Sequence, residues 1–579
     1  MRSPGRILAL IGALTSALLA QPADAPLLPL DELKAGQVGE VWTVFHGSTA
    51  EPFAVEVTGV VRNALGPGKS LIICQLTDPR VQNMGAVSGM SGSPLYIGGR
   101  LAGALSYQIQ RFETVRFAGF TPAADLEEVN ERATSQASNL ATSLQGSPYK
   151  SLQPVFTLGG LSPAVVELFA PRLAALGLDA TALGGSTQSS ALIATHGSSA
   201  PATMLRPGGA VAVALATGDI TLAGTGTVSR VDGRHVTAFG HPMMSLGDVA
   251  LPMCAAEIVT ILPSQMQSIK IANTGAIIGT ITQDRLSAVS GVLGDGPAMT
   301  AVDVTVNTQR GAARHLRFSV ARQQQLTPVL VAAGVSQAIM GSNDAGLANG
   351  FRLSSDVRFP ADQKLAFQTL YSGPQGFAQG LNEFVQGLAA NLQNPYAKTF
   401  PDHVAFTVEP LEDNPAVTLD LFQLSRTTAR ARQTVQATIA WRDWQGDAHR
   451  EILDLPIDPA WTGKQLEVIL APGRALDELT GRPRMISASE LRSFAAYIAA
   501  MRDVRQSDGV FIAVVEKTSL FSDQTVATPD APGSIERIAR ASDEARFRKR
   551  DALLPLWEKH LLAGKLLNTV IRRPLVVVD

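Results

Sequence analysis

The chain has 579 residues, 45% of them apolar and 17% charged, with a formal net charge of −2. Such a composition excludes a disordered chain and leaves no basic field able to hold nucleic acid. The length exceeds the roughly 250 to 300 residues that one hydrophobic core can serve, so about three or four domains are expected.

At the start, Arg2 and Arg6 precede an apolar stretch from Ile7 to Ala20. This is the layout of a secretory signal and is shorter than the about 20 residues of a membrane-spanning helix. Small residues at Ala23 and Ala25 suggest cleavage after Ala25, with cleavage after Ala20 as the rival and an uncleaved anchor as the alternative. No later run reaches about 18 uninterrupted apolar residues. The expectation is an exported chain, periplasmic or extracellular, with no stable membrane insertion once the signal (1–25) is removed.

From residue 26 to 135 the pattern is that of consecutive strands: 38–45, 53–61, 70–76, then 94–97 and 100–107 joined at Gly98-Gly99, a good hairpin signal. Helical texture follows from Pro122, and 136–205 reads as a connector rich in Ser, Gly and Ala with a helix around Ala164 to Leu176. A second β-rich block, 206–325, carries strand patterns at 210–215, 220–231, 234–240, 255–262, 269–281 and 299–307. These two β units suit the two halves of a double-barrel enzyme. Beyond them, 326–475 shows a helical run at 329–340, strands at 351–359 and 364–372, a helix around Phe377 to Leu392, and five strands between 403 and 472 that suggest a β-sandwich. The tail, 476–579, mixes a helix at 487–503 with strands. The fold class expected is mainly β.

Cys74 and Cys254 are the only cysteines. Their spacing matches no metal site, and they are either one disulfide or, the favoured reading, two buried thiols.

The chemistry-bearing stretch is Gly85-Ala86-Val87-Ser88-Gly89-Met90-Ser91-Gly92-Ser93-Pro94. A nucleophilic serine must stand clear of its backbone on a tight turn, which glycines at 89 and 92 permit. Backbone N–H groups of Gly89 and Ser91 can then face a developing oxyanion. The bland alternative is a Gly/Ser turn between strands. This run is similar to the Gly-Asp-Ser-Gly-Gly-Pro signature of chymotrypsin-like peptidases, with Met90 where that family has aspartate.

Together with the hairpin that follows it, the serine run more closely resembles the SpoIVB peptidase family. That resemblance implies a chymotrypsin-like double β-barrel and a serine endopeptidase with protein or peptide substrates and no cofactor or metal. In the family an aspartate in Thr-Asp-Pro shortly precedes the serine, as Thr77-Asp78-Pro79 does here. The family's histidine context is matched by Ala238-Phe239-Gly240-His241-Pro242. In the sporulation enzyme that histidine precedes the serine, whereas here it follows, so the two halves stand in exchanged order. The resemblance thus implies Ser91 as nucleophile, His241 as general base and Asp78 as the carboxylate that orients it.

Each assignment has a competitor. Asp78 before proline also fits ordinary turn chemistry. Strand alternation puts His235, Thr237, Phe239 and His241 on one face, so His241 also fits a barrel histidine. His46 is the rival base, being in the same half as Ser91. The remaining histidines, His196, His315, His403, His449 and His560, carry no supporting context, and Asp284-Arg285 is expected to be an internal ion pair. From a different class, the alternative function is a catalytically inactive envelope scaffold or binding protein on the same barrels.

Overall fold

The computed structural model describes residues 24–578 except 110–114, 132–148, 153, 179, 182–184, 187–204, 265–267, 309–311, 342–348, 395–397, 481–492, 503, 523–526, 530, 531, 535, 536 and 538–547. All but the last two residues of the expected signal segment, and His196, lie outside the described residues.

The chain is mainly β. Its first unit contains β1 (Val38–Val44), β2 (Ala50–Gly66), β3 (Lys69–Leu76), β4 (Pro94–Ile97), β5 (Arg100–Ile109), β6 (Phe117–Pro122) and β7 (Tyr149–Ser151), with α1 (Pro79–Met84) before the serine run and α2 (Ala123–Glu131) after β6. Alternation decides what faces inward: on β2 Phe53, Val55 and Val57 are buried between exposed neighbours. Pairings run β4-β1-β2-β3-β6-β5 and return from β5 to β4, forming a closed circuit of hydrogen-bonded strands. The Gly98-Gly99 link has φ of 56° and 75°, the double positive φ of a hairpin turn whose twist matches its strands.

The connector contributes β8 (Val155–Gly159), α3 (Pro163–Ala175), β9 (Ala180–Thr181) and β10 (Gly185–Ser186). Next come β11 (Ala210–Gly218), β12 (Thr221–Asp232), β13 (His235–Ala238), β14 (Gly247–Leu262), β15 (Ile269–Arg285), β16 (Ala288–Leu293), β17 (Met299–Val306) and β18 (Arg314–Ala321). Here too the pairings close, through β11-β14-β15-β16-β13-β12 and back to β11. Beyond residue 325 the chain stays with this unit: α4 (Leu326–Met340) is buried nearly all round, and β19 (Phe351–Phe359), β20 (Gln363–Tyr371) and β21 (His403–Pro410) extend its sheet. β21 lies parallel to β17, and α5 (Gly373–Leu392) precedes it. This strand pairing across β17 and β21 is one that no local pattern encodes.

Further on, a three-stranded sheet (Thr418–Leu424, Thr434–Arg442, Ala448–Pro456) and a six-stranded sheet including Gln465–Ala471, Val510–Ser522 and Ile571–Val578 share one core, with Phe422, Val435, Ile439, Val468, Val514 and Leu575 inside it. Strands from the expected sandwich and from the mixed tail therefore enclose the same interior. Among the described residues no helix is long and apolar enough to cross a membrane.

Candidate active site

The serine turn follows α1 and leads into β4. Its own amides pin it locally: Met90 N donates to Val87 O (2.9 Å), Gly92 N to Leu105 O (2.7 Å) and Ser93 N to Met90 O (3.0 Å). Its carbonyls are held by the second unit. Thr227 N donates to Ser91 O at 2.8 Å, Lys270 N to Ser88 O at 3.0 Å, Thr227 Oγ1 to Gly89 O at 3.0 Å and Ser229 Oγ to Gly92 O at 2.8 Å. For the amides of Gly89 and Ser91 no acceptor is found among the described residues. Close approach explains the glycines. A Cβ on Gly92 (φ +94°) would stand 2.0 Å from Thr227 O and 2.5 Å from Phe239 N, and one on Gly89 (φ +97°) 2.9 Å from the Lys270 Cβ. Met90, where the chymotrypsin-like signature has a charge, is buried in the first unit's core.

His241 arrives by a sharp turn. β13 ends at Ala238, and both Phe239 (φ 68°) and Gly240 (φ 66°) are left-handed. For a residue such as Phe this backbone is strained, and strain of this kind concentrates at functional sites. The turn breaks the alternation that placed His235 through His241 on one face. Its position is fixed by Thr121 Oγ1, which donates to Gly240 O at 2.6 Å, and by an edge-on contact between the Phe239 and His241 rings.

Ser91 and His241 are both fully buried, and among the described residues neither Ser91 Oγ nor His241 Nε2 has a hydrogen-bond partner, so the two are not bonded to each other. Their turns meet one edge of the same strand: the Ser91 carbonyl accepts from Thr227 N, and the Thr227 carbonyl accepts from Phe239 N at 3.2 Å. His241 Nδ1 stands 2.7 Å from Pro242 O. A carbonyl only accepts, so Nδ1 carries the proton and Nε2 keeps the lone pair that a base needs. Burial lowers the His241 pKa to about 4, against the pull of the Pro242 and Leu152 carbonyls, so the ring is neutral at pH 7.

Asp78 is not joined to this pair. Its carboxylate caps α1, accepting from Arg80 N at 2.8 Å, and it pairs with the Arg80 guanidinium at 3.0 Å, which holds its carboxyl below the usual range. The turn chemistry weighed for Asp-Pro is what the structure displays, because an aspartate before a helix satisfies an orphan N–H. His46 is exposed between β1 and β2. Among the other histidines, His403 pairs with Asp303, His449 with Asp443, His315 with the Thr305 hydroxyl and His560 with the Asp508 carbonyl. Cys74 and Cys254 are separate buried thiols, each pushed up to about 12 by burial.

Two neighbours escaped the sequence reading. Lys270 is fully buried on β15, its Nζ donating to Thr43 Oγ1 at 2.7 Å. Alternation pointed the other way, since Ile269 and Ile271 make the apolar face of this stretch, yet both are only half-buried and the strand's inward face is the one bearing the lysine. Asp284 was expected to pair with Arg285, but Arg285 turns to Asp248 (2.8 Å) and Asp284 faces the loop after His241.

Fold and site together define a mainly β protein in which a serine turn from one unit is seated against a histidine turn from the other. Residues 11–112 match the family model of SpoIVB peptidase S55, which supports the SpoIVB-type serine peptidase family for this part of the chain. The matched stretch contains Asp78 and the serine turn and ends before His241. No curated protein and no solved structure matches the chain.

Proposed function

We propose that the chain is an exported SpoIVB-like serine endopeptidase acting on protein or peptide substrates. The observation that carries this reading is the pair of enclosed atoms, Ser91 Oγ and His241 Nε2, without a hydrogen-bond partner among the described residues, on turns that meet at Thr227 of β12. Ser91 Oγ attacks the scissile carbonyl carbon while its proton passes to His241 Nε2. Gly89 and Ser91 amides receive the oxyanion, a kind of contact whose removal commonly costs about 3 to 4 kcal/mol of transition-state stabilisation. His241 then gives its proton to the leaving amine, and water, activated by the same nitrogen, cleaves the acyl ester. This chemistry calls on no metal or cofactor. The two closed strand circuits support a chymotrypsin-like double barrel with its serine-bearing and histidine-bearing halves exchanged. The engagement of Asp78 with Arg80 speaks against its orienting role.

Full burial of both reacting atoms favours one second reading, a catalytically inactive envelope scaffold on the same fold. A fluorophosphonate probe separates the two. The peptidase is expected to be labelled at Ser91, much more weakly in His241→Ala and normally in His46→Ala, each variant first checked for folding. A well-folded wild type that never reacts selects the scaffold.

A further inference from the structure

The proposed mechanism leaves His241 without a carboxylate and leaves Asp284, buried at the end of β15, without a use. Asp284 Oδ1 accepts from Met243 N at 2.7 Å, and Oδ2 accepts from Met244 N at 2.8 Å and Leu246 N at 3.1 Å. The amide of Ser245 also acts on it, so four successive N–H groups converge on one carboxylate that is 1% exposed. Burial pushes its carboxyl up, and the four donors pull the other way.

The first of those donors belongs to the peptide group between Pro242 and Met243. That group is planar and conjugated, so its N–H and C=O respond together. Its N–H is on Asp284 Oδ1 and its carbonyl is 2.7 Å from His241 Nδ1. The geometry points to Asp284 as the positioning carboxylate of His241, acting through the Pro242–Met243 peptide group in the place the resemblance gave to Asp78. This rests on the reading of His241 as the base. An acceptor at the peptide N–H strengthens the carbonyl as an acceptor, since hydrogen bonds in a chain polarise one another. The strengthened carbonyl holds the proton on Nδ1 and fixes the ring plane, leaving Nε2 unprotonated. No proton reaches the carboxylate, just as none needs to in a direct Ser-His-Asp triad. The other donors hold the loop against its own strain, for Ser245 lies at φ 57°.

The test uses the full chain labelled with ¹⁵N-histidine, where ring nitrogen shifts report the tautomer independently of activity. The wild type is expected to show His241 protonated at Nδ1. In folded Asp284→Asn the ring is expected to become a tautomer mixture and fluorophosphonate labelling to slow by about 100-fold or more, while Asp78→Asn changes neither. Unchanged ring signals in Asp284→Asn, or an equal change in Asp78→Asn, would overturn the proposal. Should Asp284→Asn fail to fold, the wild type decides: the Met243, Met244 and Leu246 amides are expected to resist hydrogen exchange, and a Met243 amide exchanging as in a free peptide would overturn it. A wild type that shows the fixed tautomer but never reacts with the probe counts against the peptidase reading alone and leaves the relay standing.

Discussion

Replacing Lys270 by methionine is expected to stabilise the second unit at neutral pH. Lys270 is fully enclosed, and its Nζ donates to the Thr43 hydroxyl. Burial lowers its pKa from 10.5 to about 7. Between those values the unfolded chain binds a proton that the folded chain does not, so stability rises with pH across that window and the penalty is fully present below it. At about 1.4 kcal/mol per pK unit, the penalty at neutral pH is on the order of 5 kcal/mol. Methionine matches the side chain in length and removes the amine, but leaves the Thr43 hydroxyl unpartnered, a cost of about 1 to 3 kcal/mol. The net gain is then about 2 to 4 kcal/mol, or roughly 30- to 1,000-fold in the opening equilibrium. Amide hydrogen exchange along β14 and β15, corrected for intrinsic rates at pH 7 and pH 9.5, measures this unit without requiring the whole chain to unfold in one step. Protection should increase at pH 7, and most of the increase should vanish by pH 9.5. A folded Lys270→Met protein with weaker protection at pH 7, or with a gain that persists at pH 9.5, would refute burial as the dominant cause.

Gly92→Ala is expected to cost about 2 to 6 kcal/mol in thermal unfolding, combining a strained backbone with an overlap against the Thr227 carbonyl. Gly98→Ala, at φ 56° with open space around it, should cost only about 1 to 2 kcal/mol. In the C-terminal unit, Arg505 is enclosed between Asp477 (2.5 Å) and Glu558 (2.6 Å). Arg505→Ala removes the guanidinium from the buried Asp477 carboxylate and should destabilise that unit by about 3 to 5 kcal/mol, read as a lowered midpoint of its own thermal transition.

Much of the β architecture was legible because its determinants are local. Alternating burial marks β2, the double glycine marks the β4–β5 hairpin, and the apolar run at 329–340 falls inside α4. The serine turn was legible for the same reason, since its glycines answer to φ and to close approach. What was not legible depends on contacts distant in sequence. The turn at Phe239 is set by packing against Gly226, where a Cβ would stand 2.6 Å from the Phe239 ring. Asp78 looked like a triad member because its triplet matched, yet the same Asp-Pro pair suits a helix cap, and Arg80 two residues on completes that use. Asp284 was set aside as half of a neighbouring ion pair, because no local pattern shows that β15 delivers its end to the loop after β13.

The joining of the two units is intelligible from the hydrogen bonds across their seam. The carbonyls of Ser88, Gly89, Ser91 and Gly92 are all taken by donors of the second unit, two of them by Thr227 alone. Ser88 N returns the contact, donating to Ser268 O at 2.9 Å. The turn that presents Ser91 is therefore completed by β12 and β15, and so is its rigidity, because these carbonyls lie in an interior where an unmade bond costs about 1 to 3 kcal/mol. Residues 11–112 contain the serine motif but none of those donors. What such a site needs from the chain is that both units be present and their seam be closed. Connectivity is free to vary as long as the donors on β12 and β15 reach the same four carbonyls, because a triad is defined by geometry and not by chain order.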